Sequence, residues 1–433
     1  MSDRKNPPYR KRRDRVGHPQ VHVLVAFARE PKSTARNACA TKPDWGGVVE
    51  WRFKFREKVV AGMAEYPIIE NTVFEADDEY IPQPVVEAGP PAWMDGSLRV
   101  GLHTSIAGSY VNALESAHKL GANALQIFSA SPRMWQTANV RIPASDVTAF
   151  RARREELGLG PLVIHANYLI NLAAAQPMLR TRSIQAFHEE LVRGRELGAD
   201  FVVVHPGARG ESSMEQAIST IIDSVKQASR RMPPGKMRIL IENTAGMGTA
   251  VGSRLEEVAA IVRGLREINA AVCLDTAHLF AAGYDIKSEA GLDQTIETID
   301  RILGLENVPV FHVNDSKIPL GGRVDRHEHI GDGKIGAAAF ERFLRQPRLG
   351  SLPPVGLAGR AFLLETPIED PGDDRKNVAK LWELAGVEGP AAEKGFSMMT
   401  SAMKKQKKEL EKKGKKFASS RHLPEQKSKK KKR

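Results

Sequence analysis

The chain has 433 residues, 64 Lys+Arg against 52 Asp+Glu, a formal net charge of +12, 41% apolar and 27% charged residues, and two cysteines. This composition suits a globular protein with ample core and excludes collagen-like, fibrous or wholly disordered architectures. Cys39 and Cys273 are too few for a disulfide framework, no apolar run approaches the roughly 18 residues of a membrane span, and no apolar leader follows the basic N-terminus. The expectation is an intracellular protein with no membrane partner.

The charge is unevenly placed. Residues 391–433 hold 16 Lys+Arg and 4 Asp+Glu, residues 1–20 contribute +5, and residues 21–390 sum to −5. Basic ends on a slightly acidic body are expected to act as solvated arms that attract polyanions.

Residues 1–97 read as an irregular N-terminal extension. VHVLVAFA (21–28) and WRFKFREKVV (51–60) are candidate strands, and IPQPVVEAGPPAW (81–93) is a Pro-rich linker. Met94 directly precedes the first regular strand and is an alternative start.

From Leu98 a period sets in. Eight short apolar runs, LRVGLHT (98–104), NALQIF (123–128), PLVIH (161–165), FVVVH (201–205), RILIE (238–242), AVCLD (271–275), VPVFH (308–312) and AFLLE (361–365), alternate with helical patterns. Unbroken runs of this kind suit strands buried on both faces of a parallel sheet. Stripes such as Met214, Ile218, Ile221, Ile222, Val225 and Leu255, Val258, Ala259, Val262, Leu265 mark amphipathic helices between them. Eight strand-helix units over 98–390 predict an α/β fold, a (β/α)₈ TIM barrel. An open doubly wound sheet would need a Gly-rich turn after its first strand, where HTSIAGS stands instead. Beyond the barrel, 391–433 is expected to be a disordered, Lys-rich C-terminal tail.

The last six runs end in His165, His205, Glu242, Asp275, His312 and Glu365. In a closed parallel barrel all strand C-termini face one side, so these side chains converge. Imidazoles and carboxylates together suit a divalent transition metal, most naturally zinc. DTAH adds His278 three residues after Asp275, and RVDRHEH adds Asp325 and His327, two apart and on one side of an extended segment. Nine ligands imply about three metals and a substrate that develops much negative charge, a phosphate ester first, with Glu242 or Glu365 bridging metals or taking a proton from water.

These residues stand in longer motifs. HANYLINLA (165–173), VVHPGA (203–208), IENTAG (241–246), VCLDTAHLFAAGYD (272–285), FHVNDSKIPLGGRVDRHEHIGDGKIG (311–336) and LLET (363–366) closely resemble the endonuclease IV family of zinc-dependent apurinic/apyrimidinic endonucleases. The resemblance spans about Leu98 to Leu384. It implies three Zn2+ per chain and cleavage of double-stranded DNA on the 5′ side of an abasic site, leaving a 3′-hydroxyl and a 5′-deoxyribose phosphate, by a monomeric repair enzyme. It further implies a first zinc on His165, His205 and Glu242, a second on Glu242, Asp275, His312 and Glu365, and a third on His278, Asp325 and His327. Arg133 and Tyr168 match loop residues that enter the minor groove, and His103 matches a supporting histidine. Asn167, Ala277 and Gly322 depart from the family pattern, which usually has Ser, Cys and Ser there. The alternative is a metal-dependent sugar isomerase or epimerase on a related barrel, which has no use for the third ligand set. A bacterial, nucleoid-associated cytoplasmic location is expected, with the tail as DNA tether, or a nuclear one in a eukaryote.

Overall fold

A computed structural model describes residues 97–135, 141–230, 235–268, 270–350, 360–399, 403–405 and 408. The candidate strands at 21–28 and 51–60 and the linker at 81–93 lie outside these residues. The chain divides into units 1–81 and 82–433, and every described residue belongs to the second.

The expected strands form: β1 (Arg99–His103), β2 (Ala124–Phe128), β3 (Leu162–His165), β4 (Phe201–Val204), β5 (Arg238–Glu242), β6 (Ala271–Asp275), β7 (Val310–His312) and, after a small hairpin of β8 (Asp315–Ser316) and β9 (His327–Glu328), β10 (Ala361–Leu364). Eight of them close a parallel barrel in the order β1-β10-β7-β6-β5-β4-β3-β2. The runs lack polar alternation because both strand faces are covered. Alternate residues such as Val163, Val203, Leu240, Cys273 and Leu363 fill the barrel interior, and their neighbours Ile164, Val202, Ile239, Leu274 and Phe362 pack beneath the helices. Register then places the functional ends side by side, with Phe128 opposite His165 and Asp275 opposite His312.

The helices are α1 (Tyr110–Lys119), α2 (Ala144–Glu156), α3 (Pro177–Leu197), α4 (Met214–Ser229), α5 (Leu255–Gly264), α6 (Thr276–Ala282), α7 (Glu289–Leu303), α8 (Ala337–Leu344), α9 (Pro347–Gly350) and α10 (Asp373–Ala385). Their stripes face the barrel as the periodicity predicts. In α4, Ile221 and Val225 are fully buried, and a Ser213/Gln216 capping box closes the first turn.

Two features depart from the expected pattern. The β8–β9 hairpin interrupts the seventh strand-helix unit. Residues 391–399, grouped with the tail by charge, instead lie along the barrel: Met399 is buried, Lys119 Nζ stands 5.3 Å from the centre of the Phe396 ring, and Met398 N donates to Asp374 Oδ2 at 2.6 Å. Phe396, Met398 and Met399 give this stretch the apolar packing that the lysines beyond it cannot supply.

Candidate metal centre

His165, Glu242, Asp275 and His312 end β3, β5, β6 and β7, while His205 and Glu365 stand one residue beyond β4 and β10. Glu242 is fully buried at the centre. Its Oε2 lies 3.3 Å from His165 Nε2 and 3.4 Å from His205 Nε2, and its Oε1 lies 2.8 Å from His312 Nδ1. One carboxylate therefore faces two imidazole groups with different oxygens, the disposition of a bridge. On the far side, Asp325 reaches His278 Nε2 at 3.2 Å and His327 Nε2 at 3.3 Å, and His327 Nε2 is 3.6 Å from Asp275.

All nine sequence-predicted ligands thus meet at one rim. Three groups of mutually close ligand atoms emerge: His165, His205, Glu242; then Glu242, Asp275, His312, Glu365; then Asp275, His278, His327. The third group gathers on Asp275, with Asp325 at its outer edge.

The imidazoles are oriented for coordination. His165, His278 and His327 each direct Nδ1 at a backbone carbonyl, of Ala166 (2.8 Å), Asn243 (3.0 Å) and Glu365 (3.3 Å), which leaves each Nε2 facing the cluster. His312 is reversed: Nε2 meets Gln126 Oε1 at 2.8 Å and Nδ1 faces Glu242. Tying one ring nitrogen to an oxygen fixes the tautomer that offers the other as a lone pair. Glu242 Oε2, His278 Nε2 and His327 Nε2 are buried without a hydrogen-bond partner among the described residues. Inward lone pairs on buried, unsatisfied N and O atoms fit a cluster of zinc-like cations.

Four supporting residues were not singled out in the sequence. Gln126, buried on β2, donates to Glu365 Oε1 (2.6 Å) and contacts His103 Nδ1 (3.1 Å) while accepting from His312. Asn243 Oδ1 accepts from Asp275 N at 2.7 Å, and Asn314 Nδ2 donates to Asp275 Oδ2 at 2.6 Å. Asp315, fully buried, accepts the backbone N–H groups of Gly331, Gly333, Ile335 and Gly336 at 3.0 to 3.1 Å. A Cβ at Gly333 would collide with the Asp315 carboxylate, so only glycine fits there. The signal was a polar residue inside or at the end of an apolar strand, as in NALQIF, IENT and HVND.

Charge pairing overrides burial at most of these groups. Burial would raise the Glu242 carboxyl, but His205 and His312 hold it well below the usual carboxylate range. Burial would lower His278, yet Asp275 and Asp325 raise it to about 10, so a cation taking the Nε2 lone pair would displace a proton held there by the two carboxylates. His103 behaves oppositely: burial takes it down to about 3, so it stays neutral and its Nδ1 is free to accept from Gln126. Glu365, like Glu242, is held low by the histidines around it, so both carboxylates are anionic at neutral pH, the state in which they coordinate cations.

The cluster opens into a cleft of about 480 Å³ lined by His103, Phe128, Tyr168, Lys317 and Met398 besides the ligands. Tyr168 is 60% exposed and packs edge-on to Phe128 at 5.1 Å. Arg133 is exposed on the loop after β2. Asn167 joins the two loops through bonds to Ser131 O (3.1 Å), Met134 O (2.9 Å) and Leu169 N (2.8 Å). Cys273, sealed beneath the cluster, is pushed by burial up to about 12 and is inert as a nucleophile.

Residues 114–380 match the family model of the xylose isomerase-like TIM barrel. The chain is 45% identical over 296 residues to a probable endonuclease 4 of Solibacter usitatus (strain Ellin6076), covering 68% of this chain and 99% of that protein. It is 40% identical over 291 residues to a probable endonuclease 4 of Chloroflexus aggregans, covering 67% and 98%. The crystal structure of endonuclease IV from Thermus thermophilus superposes with a TM-score of 0.57 at 39% identity, covering 66% of this chain and 99% of that one. A barrel with nine converging metal-type ligands and relatives of this identity over their whole length lead to one assignment: the chain belongs to the endonuclease IV family.

Proposed function

We propose that this chain is a zinc-dependent DNA-repair endonuclease that hydrolyses the phosphodiester on the 5′ side of an abasic site in double-stranded DNA, leaving a 3′-hydroxyl and a 5′-deoxyribose phosphate. The observation that carries the reading is Glu242, with one oxygen toward His165 and His205 and the other toward His312, in a cup that also holds His278, Asp325 and His327. His165, His205 and Glu242 would hold a first zinc, Glu242, Asp275, His312 and Glu365 a second, and His278, Asp325 and His327 a third, with Asp275 close to the last. When bound, the metals lower the pKa of a water nucleophile and neutralise the phosphate oxygens that gain charge.

The residues divide the remaining work. Glu365 is 18% exposed where Glu242 is fully buried, so Glu365 is the carboxylate that faces the cleft. Gln126 holds the Glu365 carboxylate from behind. Arg133 and Tyr168 enter the minor groove beside the lesion; extruding a nucleotide costs least where no base is paired. Residues 98–390 form the catalytic unit of a monomer, with 1–97 an appendage, and the enzyme acts in the compartment that holds the DNA. No helix among the described residues is long and apolar enough to cross a membrane.

A sugar isomerase on the same barrel would need one or two metals and no Asp325–His327 pair. Metal analysis of the purified chain tests the choice: about three zinc per chain supports the nuclease, and a single exchangeable Mg or Mn contradicts it.

A further inference from the structure

We infer that Glu190 and Arg193 of α3 are positioning residues: by holding the Ser129 hydroxyl they fix the origin of the loop that presents Arg133, and with it the spacing between Arg133 and Tyr168. The inference rests on the nuclease reading above, in which those two side chains enter the DNA.

The loop after β2 is tied down at both ends. Ser129, its first residue, is fully buried. Its Oγ donates to Glu190 Oε2 and accepts from Arg193 Nε at 2.8 Å, and its carbonyl accepts from Tyr110 OH at 2.6 Å. Farther along, Asn167 holds the carbonyls of Ser131 and Met134, and the Arg182 guanidinium lies 4.7 Å from the centre of the Trp135 ring. Pro132 and Arg133 form the turn between these anchors. Arg133 is exposed and hydrogen-bonded to none of the described residues, so the anchors decide where it stands.

One helix supplies most of them. Arg182, Glu190 and Arg193 are eight and three residues apart on α3 and share the face toward this loop. The same helix anchors the loop that carries Tyr168, because the buried Ser183 Oγ accepts from Asn171 N at 3.0 Å. Helix α3 is itself seated hard on the barrel: a Cβ at Gly194 would stand 3.1 Å from Met237 Sδ and 3.2 Å from Val202 Cγ2. Both loops are therefore referred to one rigid element.

The energetics separate this role from simple packing. Glu190 and Arg193 are 3% and 4% exposed, and their charges are paired through Arg193 Nη2 and Glu190 Oε1 at 3.3 Å. Burying an ion pair is costly, and apolar side chains of similar volume in its place often leave a fold as stable or more so. Phe187 and Leu191 on α3 already supply apolar burial. What the ion pair adds is a fixed acceptor and a fixed donor, which together use the Ser129 hydroxyl in both of its roles. Apolar residues would fill the space and leave the origin of the loop free to pivot.

Steady-state kinetics of full-length, zinc-loaded chains on a labelled abasic duplex test this. The triple variant Ser129→Ala, Glu190→Leu, Arg193→Met removes the polar contacts together, so no buried partner is stranded. It should melt at or above the wild-type temperature and keep wild-type zinc content and kcat, with KM about tenfold higher. In an Arg133→Ala background the same three changes should raise KM by less than about twofold, because they act through Arg133. Should the triple variant melt well below wild type, Ser129→Ala alone cuts the link between ion pair and loop; it should also raise KM, and only where Arg133 is present. Wild-type KM in the variant that folds, or an equal rise with and without Arg133, overturns the inference, as does wild-type KM for Arg133→Ala itself. A wild-type chain that does not nick the abasic duplex overturns the nuclease reading, and this inference with it.

Discussion

Asn167 ties together the two exposed loops of the cleft: its Nδ2 donates to Met134 O at 2.9 Å beside Arg133, while its Oδ1 accepts from Leu169 N at 2.8 Å beside Tyr168. A serine, the residue usual in the family pattern here, is too short to span both loops with one donor. The clamp fixes the spacing of Arg133 and Tyr168 without touching the metal ligands' coordinating atoms. Asn167→Ala should therefore raise KM for an abasic duplex about tenfold, the worth of one or two net hydrogen bonds. Steady-state kinetics should show kcat and zinc content close to wild type; an unchanged KM would show that the loops hold their spacing without it.

Gln126 joins three groups at once, His312, Glu365 and His103. Replacing it by Leu leaves a buried imidazole N–H and a carboxylate oxygen without their partner and frees His312 to turn. Removing such a supporting partner typically costs about 10- to 100-fold in metal affinity. Competition of Gln126→Leu against a chromophoric chelator measures it, with wild-type affinity the contrary result.

Glu242→Gln keeps the shape of the central side chain and removes its charge. The variant should lose nicking by at least about a thousandfold, since two of the ligand groups share this carboxylate. Circular dichroism should show the barrel intact. A variant that nicks at wild-type rate would remove Glu242 from the bridging role.

Asp315 organises residues 331–336 by accepting four backbone N–H groups, and β8, where it sits, pairs with β9, which carries His327. Asp315→Ala strands those donors in a buried setting and should destabilise the protein by about 2 to 4 kcal/mol. Thermal unfolding in the presence of zinc reads the change. A melting temperature equal to wild type would show that water takes over the carboxylate's role.

Much of this was legible in the sequence because a parallel barrel makes strand ends coincide. Once VVVH, ILIE and VCLD are read as strands buried on both faces, His205, Glu242 and Asp275 have to share a rim. The partition of ligands was less legible: Asp275 lies near both the second and third groups because α6 starts directly on it, with its side chain capping His278 N at 2.7 Å. Gln126, Asn243 and Asn314 went unremarked because one polar residue at a strand end does not reveal which neighbour it will meet. Residues 391–399 were assigned to the tail by charge alone, where three apolar side chains decide the packing.

The position and chemistry of the nick test the zinc-nuclease reading at its root. A duplex with a single abasic-site analogue, labelled at the 5′ end of the lesion strand, is incubated with the zinc-loaded chain, with the chain after chelation, and with the chelated chain resupplied with zinc. One cut is expected immediately 5′ to the lesion, abolished by chelation and restored by zinc, whose 3′ end a DNA polymerase extends without further processing. A cut that persists after metal removal, falls 3′ to the lesion, or leaves an end that cannot be extended would contradict the reading.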